Sequence, residues 1–275
     1  MKVTKNVRLV LLQNIPVMLF VIVFLIFGFS TKNWFSWTNF SNILTQSSYI
    51  GILAVGITLP LLTGGTDLSV GANMYLSASI AAVLIRAGMN MWLALLICLA
   101  VGVVFGCVNA FFVVKVKIPA FLVTIGTMTA GRGIALRLTN SEQIAMPPAL
   151  VSGIGSGKLF GLIPYPVIFF SIVVLVIAVF LRNTTPGRQL YAVGFDRETA
   201  QKGGIAVDKV HAMAYIVCGF MSALSAIVSI AQIGCVIPAF GEGYEFNAIS
   251  ASVLGGTSLS GGIANIFPGV VIGTI

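Results

Sequence analysis

The stretch TGGTDLSVG, Thr63 to Gly71, places an aspartate and three glycines between two apolar runs. A near copy, LGGTSLSGG, runs from Leu254 to Gly262. Aligned from Gly64 and Gly255, the copies differ at two of eight positions. Glycine pairs end helices because glycine accepts the left-handed conformation. Thr, Asp and Ser begin helices because their oxygens accept from free amide donors. Each copy therefore reads as a helix stop, a cap and a restart. In lipid, opened backbone must be buried in protein or line a wet cavity, and broken helices from internal repeats build such cavities in transporters. Gly64, Gly65, Gly255 and Gly256 are thus candidates for a substrate pathway. Asp67 has two readings: it caps the following helix, as Ser258 would in the second copy, or it is a substrate or coupling group at membrane depth.

Other polar groups are few. Arg132 falls about 18 Å into a span that starts at Ala120, at about 1.5 Å per residue, so it needs an ionic partner or a wet pathway. Arg137 lies near the end of that span and can snorkel. Glu242 and Glu245 read as an outer loop, either solvated or receiving a soluble binding protein by charge complementarity. GSGKL, Gly155 to Leu159, fails the G-x-x-x-x-G-K-[ST] phosphate-loop pattern, because Ser152 stands at the first glycine position and Leu159 at the hydroxyl position. A single histidine, His211, argues against a histidine-rich metal site. Cys98, Cys107, Cys218 and Cys235 lack framework spacing and read mainly as packing residues. No nucleophile–base or metal constellation appears, so no catalytic residue and no enzyme is expected. Gly102 and Gly106 form a G-x-x-x-G that permits close helix packing.

The surroundings explain why these groups stand out. The 275-residue chain is 58% hydrophobic and 8% charged, with mean hydropathy +1.06. Such a composition excludes an ordinary soluble domain. Continuous apolar runs exclude a β-barrel and predict an all-α, polytopic transmembrane helical bundle with glycine-broken helices, forming one domain over residues 1–275. Expected spans are Leu9–Phe29, Ile43–Leu62, Leu68–Ile85, Met91–Val114, Ala120–Leu138, Pro166–Leu181 and Met213–Ala231. Two short pieces follow, Ala248–Leu254 and Ile263–Ile275. The last is too short to cross a membrane, so at least one further span is expected in full-length relatives. No cleavage site follows the first run, which favours a retained span over a signal peptide.

The net charge of +8 does not point to nucleic acid, because the basic residues fall between spans as topology signals. Ten of fifteen form three groups: Lys2, Lys5 and Arg8; Lys115 and Lys117; Arg182, Arg188, Arg197, Lys202 and Lys209. A cytoplasmic N-terminus puts all ten on the cytoplasmic side and the segments Thr139–Tyr165 and Gln232–Asn247 outside. Both glycine copies then follow spans that run inward, in parallel. Within the basic loop, Asp196 can cap a short helix over Arg197–Lys202, ended by Gly203 and Gly204. That helix is either a solvated loop or a docking element.

LTGGTDLSVGA, KIPAFLVTIGTMTAGRGIAL, TTPGRQLYAVGFDRETAQKGGIAVDKV and GEGYEFNAISASVLGGTSLSGG, with the spacing between them, resemble the ribose-type permeases. These are the membrane subunits of ATP-binding-cassette importers for sugars. The resemblance covers nearly the whole chain. It implies a dimer of permease subunits in the bacterial inner membrane, a periplasmic sugar-binding protein, and cytoplasmic ATPase subunits that use ATP, so this chain needs no cofactor. It also implies that the segment Asp196, Arg197, Glu198, Thr199, Ala200, Gly204 and Ile205 contacts the ATPase. The family usually carries an Asn and an Ala-Ala pair there, where this chain has Asp196 and Thr199-Ala200. The chain's own residues leave open a different small polar solute, or an ion-coupled transporter with Asp67 and Arg132 as its coupling pair.

Overall fold

Apolar segments in lipid must close their own backbone hydrogen bonds, and this chain closes them in helices. The computed structural model of the protein describes residues 15–32 and 34–275. Lys2, Lys5, Arg8 and the start of the first expected span lie outside those residues. The α-helices of four or more residues are α1 (Ile15–Ser30), α2 (Trp37–Leu62), α3 (Val70–Arg86), α4 (Met91–Ala110, continued by a π-helical turn Phe111–Lys115), α5 (Ala120–Thr139), α6 (Tyr165–Asn183), α7 (Thr185–Phe195), α8 (Arg197–Lys202), α9 (Val207–Ile233), α10 (Tyr244–Leu254) and α11 (Val271–Thr274). Among the described residues, α2, α4 with its π turn, α6 and α9 are long and apolar enough to cross a bilayer. Helices occupy the described parts of all seven expected spans, with shifted ends, but α1, α3 and α5 do not reach that length and hydropathy. α2 begins at Trp37 rather than Ile43, because the Ser36 hydroxyl caps it by accepting from the Asn39 N–H at 3.2 Å. Hydropathy marks the apolar core of a helix, whereas its cap marks the true start.

α9 and α2 form the centre. Of their most apolar windows 67% and 61% are buried, against 28% for α4, which presents Trp92, Leu96 and Val104 outward. α9 packs on α2, α3 and α4. Its crossing with α4 is made of glycine: Gly102 and Gly106 face Gly219, and a Cβ on Gly219 would lie 2.9 Å from Gly106 Cα. The G-x-x-x-G therefore sets a close helix approach, as small residues do in membranes. The Asn73 amide of α3 closes the three-helix contact, donating to the carbonyls of Gly219 at 3.2 Å and Gly102 at 3.4 Å.

Lys115, Lys117, Arg197 and Lys209 share one cavity; that side of the bundle is the basic end. At the opposite end Arg86 pairs with Glu142 at 3.4 Å. There the long connection after α5 forms two short antiparallel pairs, with Ile144–Ala145 (β1) against Cys235–Val236 (β4) and Lys158–Leu159 (β2) against Ile163–Pro164 (β3). The basic loop is more ordered than a loop. α7 was not expected; the Thr184 hydroxyl caps it by accepting from the Gly187 N–H at 3.1 Å, with Pro186 in the first turn. That Thr-x-Pro start was the available signal.

Replacing Gly219 with alanine overpacks the α4–α9 crossing, and the thermal stability of the purified protein in detergent falls by about 1–3 kcal/mol. Gly126 on α5 has no atom within 4 Å of an added Cβ, so Gly126→Ala leaves stability unchanged or raises it by up to about 1 kcal/mol. Equal effects of the two substitutions would count against a glycine-set crossing.

Candidate functional site

Both glycine copies stop a helix in the same way. At the end of α2, Gly64 has φ +76, its N–H reaches Leu61 O at 2.9 Å, and the Gly65 N–H reaches Pro60 O at 2.9 Å. At the end of α10, Gly256 has φ +95, its N–H reaches Val253 O at 2.9 Å, and the Thr257 N–H reaches Ser252 O at 3.0 Å. Each is a left-handed cap that satisfies two terminal carbonyls. Beyond the caps the copies also share a turn: Asp67 Oδ1 accepts from the Ser69 N–H at 2.9 Å, and Ser258 Oγ accepts from the Ser260 N–H at 3.2 Å. The caps align Gly64 with Gly256, whereas the turns align Asp67 with Ser258, so the first copy holds one extra residue between them. Sequence alignment alone paired Gly64 with Gly255, because either glycine of a pair can take the left-handed position.

The restart differs between the copies. α3 begins at Val70, but after the second copy no helical turn resumes until Ile266. Asp67 does not cap α3 directly. It is 2% exposed and holds Ser69 instead, accepting from its hydroxyl at 2.5 Å as well as from its N–H. The network continues through Asn109 Nδ2, which donates to Ser69 Oγ at 2.7 Å, and Thr127 Oγ1, which donates to Asn109 Oδ1 at 2.8 Å. Asn109 Nδ2 also reaches Asp67 Oδ2, at 3.5 Å. The break is thereby tied to α4 and α5.

α2 and α10 run parallel, as expected. Tyr49 Oη lies 3.5 Å from Tyr244 Oη, Thr58 Oγ1 lies 2.8 Å from Ser252 Oγ, and the Gly262 N–H donates to Leu62 O at 2.9 Å. The two glycine elements therefore meet. Gly64 and Gly256 are open, while Gly65 and Gly255 are buried. The end of α7 joins them: a Cβ on Gly194 would strike Leu62 O and lie 2.7 Å from the Gly262 nitrogen.

The segment after α9 departs from expectation. Instead of staying outside, it turns back into the bundle, with Phe240 2% exposed and Gly241 (φ +71) packed backbone to backbone on Gly71. α10 thus starts deep in the bundle, opposite the start of α3. Glu245 sits in the first turn of α10, is 5% exposed, and is no outer-loop residue. Glu242 is exposed but adjoins Gly241 at the same depth. Arg132 of α5 meets this junction. Its Nη2 donates to Gly241 O at 3.0 Å and lies 3.7 Å from Glu245 Oε2, an ion pair without a hydrogen bond. Burial of Glu245 follows from this pairing and from the N-terminal end of α10. The partner of Arg132 was not legible, because its distance in sequence hid it.

At the basic end, Asp196 caps α8 as expected. Its Oδ1 accepts from the Thr199 N–H at 3.0 Å and its Oδ2 from the Thr199 hydroxyl at 2.7 Å. These bonds hold its carboxyl below the ordinary carboxylate value. The cap is therefore complete above the unfolded value and is lost as pH falls through the folded one. Gly204 (φ +83) ends the helix. Arg197 pairs with Asp208 at 3.4 Å, and Glu198 with Lys202 at 2.7 Å. Ala200 is buried, whereas Thr199 is exposed and Ile205 half-buried.

Arg132→Met leaves Glu245 without its cation and destabilises the protein by about 3–5 kcal/mol. Replacing both Arg132 and Glu245 by methionine recovers part of that loss. Thermal unfolding of the two single variants and the double variant measures the coupling; strictly additive losses would show that the two charges do not interact.

Residues 39–275 match the family described as branched-chain amino acid transport system, permease component. The chain is 36% identical over 249 residues to the ribose import permease protein of Escherichia coli, covering 89% of this chain and 77% of that protein. It is 36% identical over 245 residues to the ribose import permease protein of Bacillus subtilis, covering 86% and 74%. It is 35% identical over 250 residues to the autoinducer 2 import system permease protein of Yersinia pseudotuberculosis, covering 91% and 71%. No solved structure matches it significantly. With a helical membrane bundle, paired broken helices and a match over most of its length, the chain belongs to this family of transport-system permease components.

Proposed function

We propose that the chain is the membrane-spanning subunit of an ATP-binding-cassette importer and carries a ribose-like monosaccharide across the bacterial inner membrane. The observation that carries this reading is the 36% identity to a ribose import permease over 89% of the chain. A second solute class, another small polar molecule such as a signalling furanose, is favoured by the 35% identity to an autoinducer 2 import permease. The N-terminus is cytoplasmic, which makes the basic end the cytoplasmic face. The chain itself is not an enzyme, and ATP is hydrolysed by separate ATPase subunits. A second permease subunit, identical or related, completes the pathway, and a periplasmic binding protein supplies the solute.

The geometry supports a route for coupling. Asp196 to Ile205 receives the ATPase. Gly194, just before it, is wedged between Leu62 O and the Gly262 nitrogen, so motion of α7 reaches the end of α2 and the glycine segment that follows α10. α10 leads on to the Arg132–Glu245 junction. ATP shifts such a system only by binding its two states with different affinity. The open glycines Gly64 and Gly256 and the exposed Glu242 are suited to line the pathway. Asp67 and Arg132 shape it from behind.

Radiolabelled ribose uptake is measured in proteoliposomes holding this chain, its ATPase and its binding protein. Uptake is expected only with all three and ATP. Uptake in vesicles without the ATPase would instead favour an ion-coupled transporter. In the same assay Asp196→Ala frays α8 and lowers ATP-driven uptake severalfold, while Asp196→Asn, an equally good cap, retains it. Loss in both variants would assign Asp196 a role other than capping.

A further inference from the structure

The cavity at the basic end, about 830 Å³ in volume, is lined by Lys115, Lys117, Arg197, Asp208, Lys209 and His211, with Gly64 and Gly65 at the helix break. Asp208 is engaged by Arg197 at 3.4 Å. Lys115, Lys117 and Lys209 have no acidic partner among the described residues. Lys117 is held at φ +61, a backbone region a lysine adopts only when its surroundings enforce it.

Behind this lining, His211 Nε2 and Tyr215 Oη are enclosed without hydrogen-bond partners. Both lie behind Gly65, where a Cβ would strike Tyr215 Oη and approach His211 Nε2 to 3.3 Å; Tyr215 is fully buried and does not line the cavity. Beside the lysines, Phe111, Phe112 and Val116 are exposed.

We infer that this cavity binds a phosphate-class anion, held by Lys115, Lys117 and Lys209. Several compact ammonium charges suit a multiply charged phosphate. The phosphate is carried either by a lipid headgroup, whose chains would lie on the neighbouring exposed apolar side chains, or by a soluble molecule. Gly64 of the proposed pathway and Arg197 and Ile205 of the proposed ATPase-docking segment border the same cavity, so the test reads binding to this chain alone.

The test uses the full chain purified in a neutral detergent. Its melting temperature is followed against inorganic phosphate, short-chain phosphatidylglycerol and short-chain phosphatidylcholine. A rise with phosphate supports the site with a soluble ligand. A rise with phosphatidylglycerol alone supports it with a lipid headgroup. The variant Lys115→Gln/Lys117→Gln/Lys209→Gln weakens the response by about a hundredfold in ligand concentration, at about fivefold per lysine. Lys158→Gln, at the opposite end of the bundle, leaves it intact. No rise with either phosphate probe, an equal rise with phosphatidylcholine, or an undiminished response in the triple-lysine variant would overturn the inference.

Discussion

The structure turns on one guanidinium contact. Arg132 Nη2 donates to Gly241 O at 3.0 Å, at the point where a chain segment has turned back into the bundle and a helix is about to begin. Non-helical backbone at that depth survives only if protein takes up its polar groups. The turn is supported from one side by Gly71, which has no side chain to push it away, and from the other by Arg132. Two helices, α3 and α10, begin there and point apart. Their positive ends stand together, and Glu245 within 3.7 Å of Arg132 offsets charge that would otherwise repel.

The same chain segments connect this interior point to the basic end. α10 is 11 residues long, or about 16 Å. It starts at the junction and stops near the end of α2, where Gly194 packs against Leu62 O and against the Gly262 nitrogen of the segment that follows α10. α7 therefore touches the end of α2 and the second glycine element at once, and the Gly262 N–H bond to Leu62 O already ties those two together.

Much of this was legible in the sequence. The repeat at Gly64 and Gly255, the cap at Asp196 and the parallel sense of the repeat-bearing helices each follow from local chemistry or from counting spans. What stayed hidden depends on contacts between distant residues. Glu245 reads as a loop residue until Arg132, more than a hundred positions away, is brought to it. The return of Phe240 and Gly241 into the bundle gives no apolar run long enough to mark it. Asn73 and Asn109, polar residues within apolar spans, were the overlooked signal; one seals the α3–α4–α9 contact, and the other carries the Asp67 network to α5.

The two polar clusters differ in kind, and the difference bears on which can change during a cycle. Asp67, Ser69, Asn109 and Thr127 form a chain of short bonds among buried groups, so breaking any link leaves orphaned donors or acceptors. That cluster behaves as a fixed joint between the first break, α4 and α5. Arg132 instead makes one hydrogen bond to a neutral carbonyl and a looser ion pair, and Glu245 Oε2 has no hydrogen bond at all. Little hydrogen bonding is lost if Glu245 turns away, because Gly241 still receives the guanidinium. Separating Glu245 from Arg132 therefore costs ion-pair energy rather than hydrogen bonds, whereas breaking a link at Asp67 costs hydrogen bonds directly.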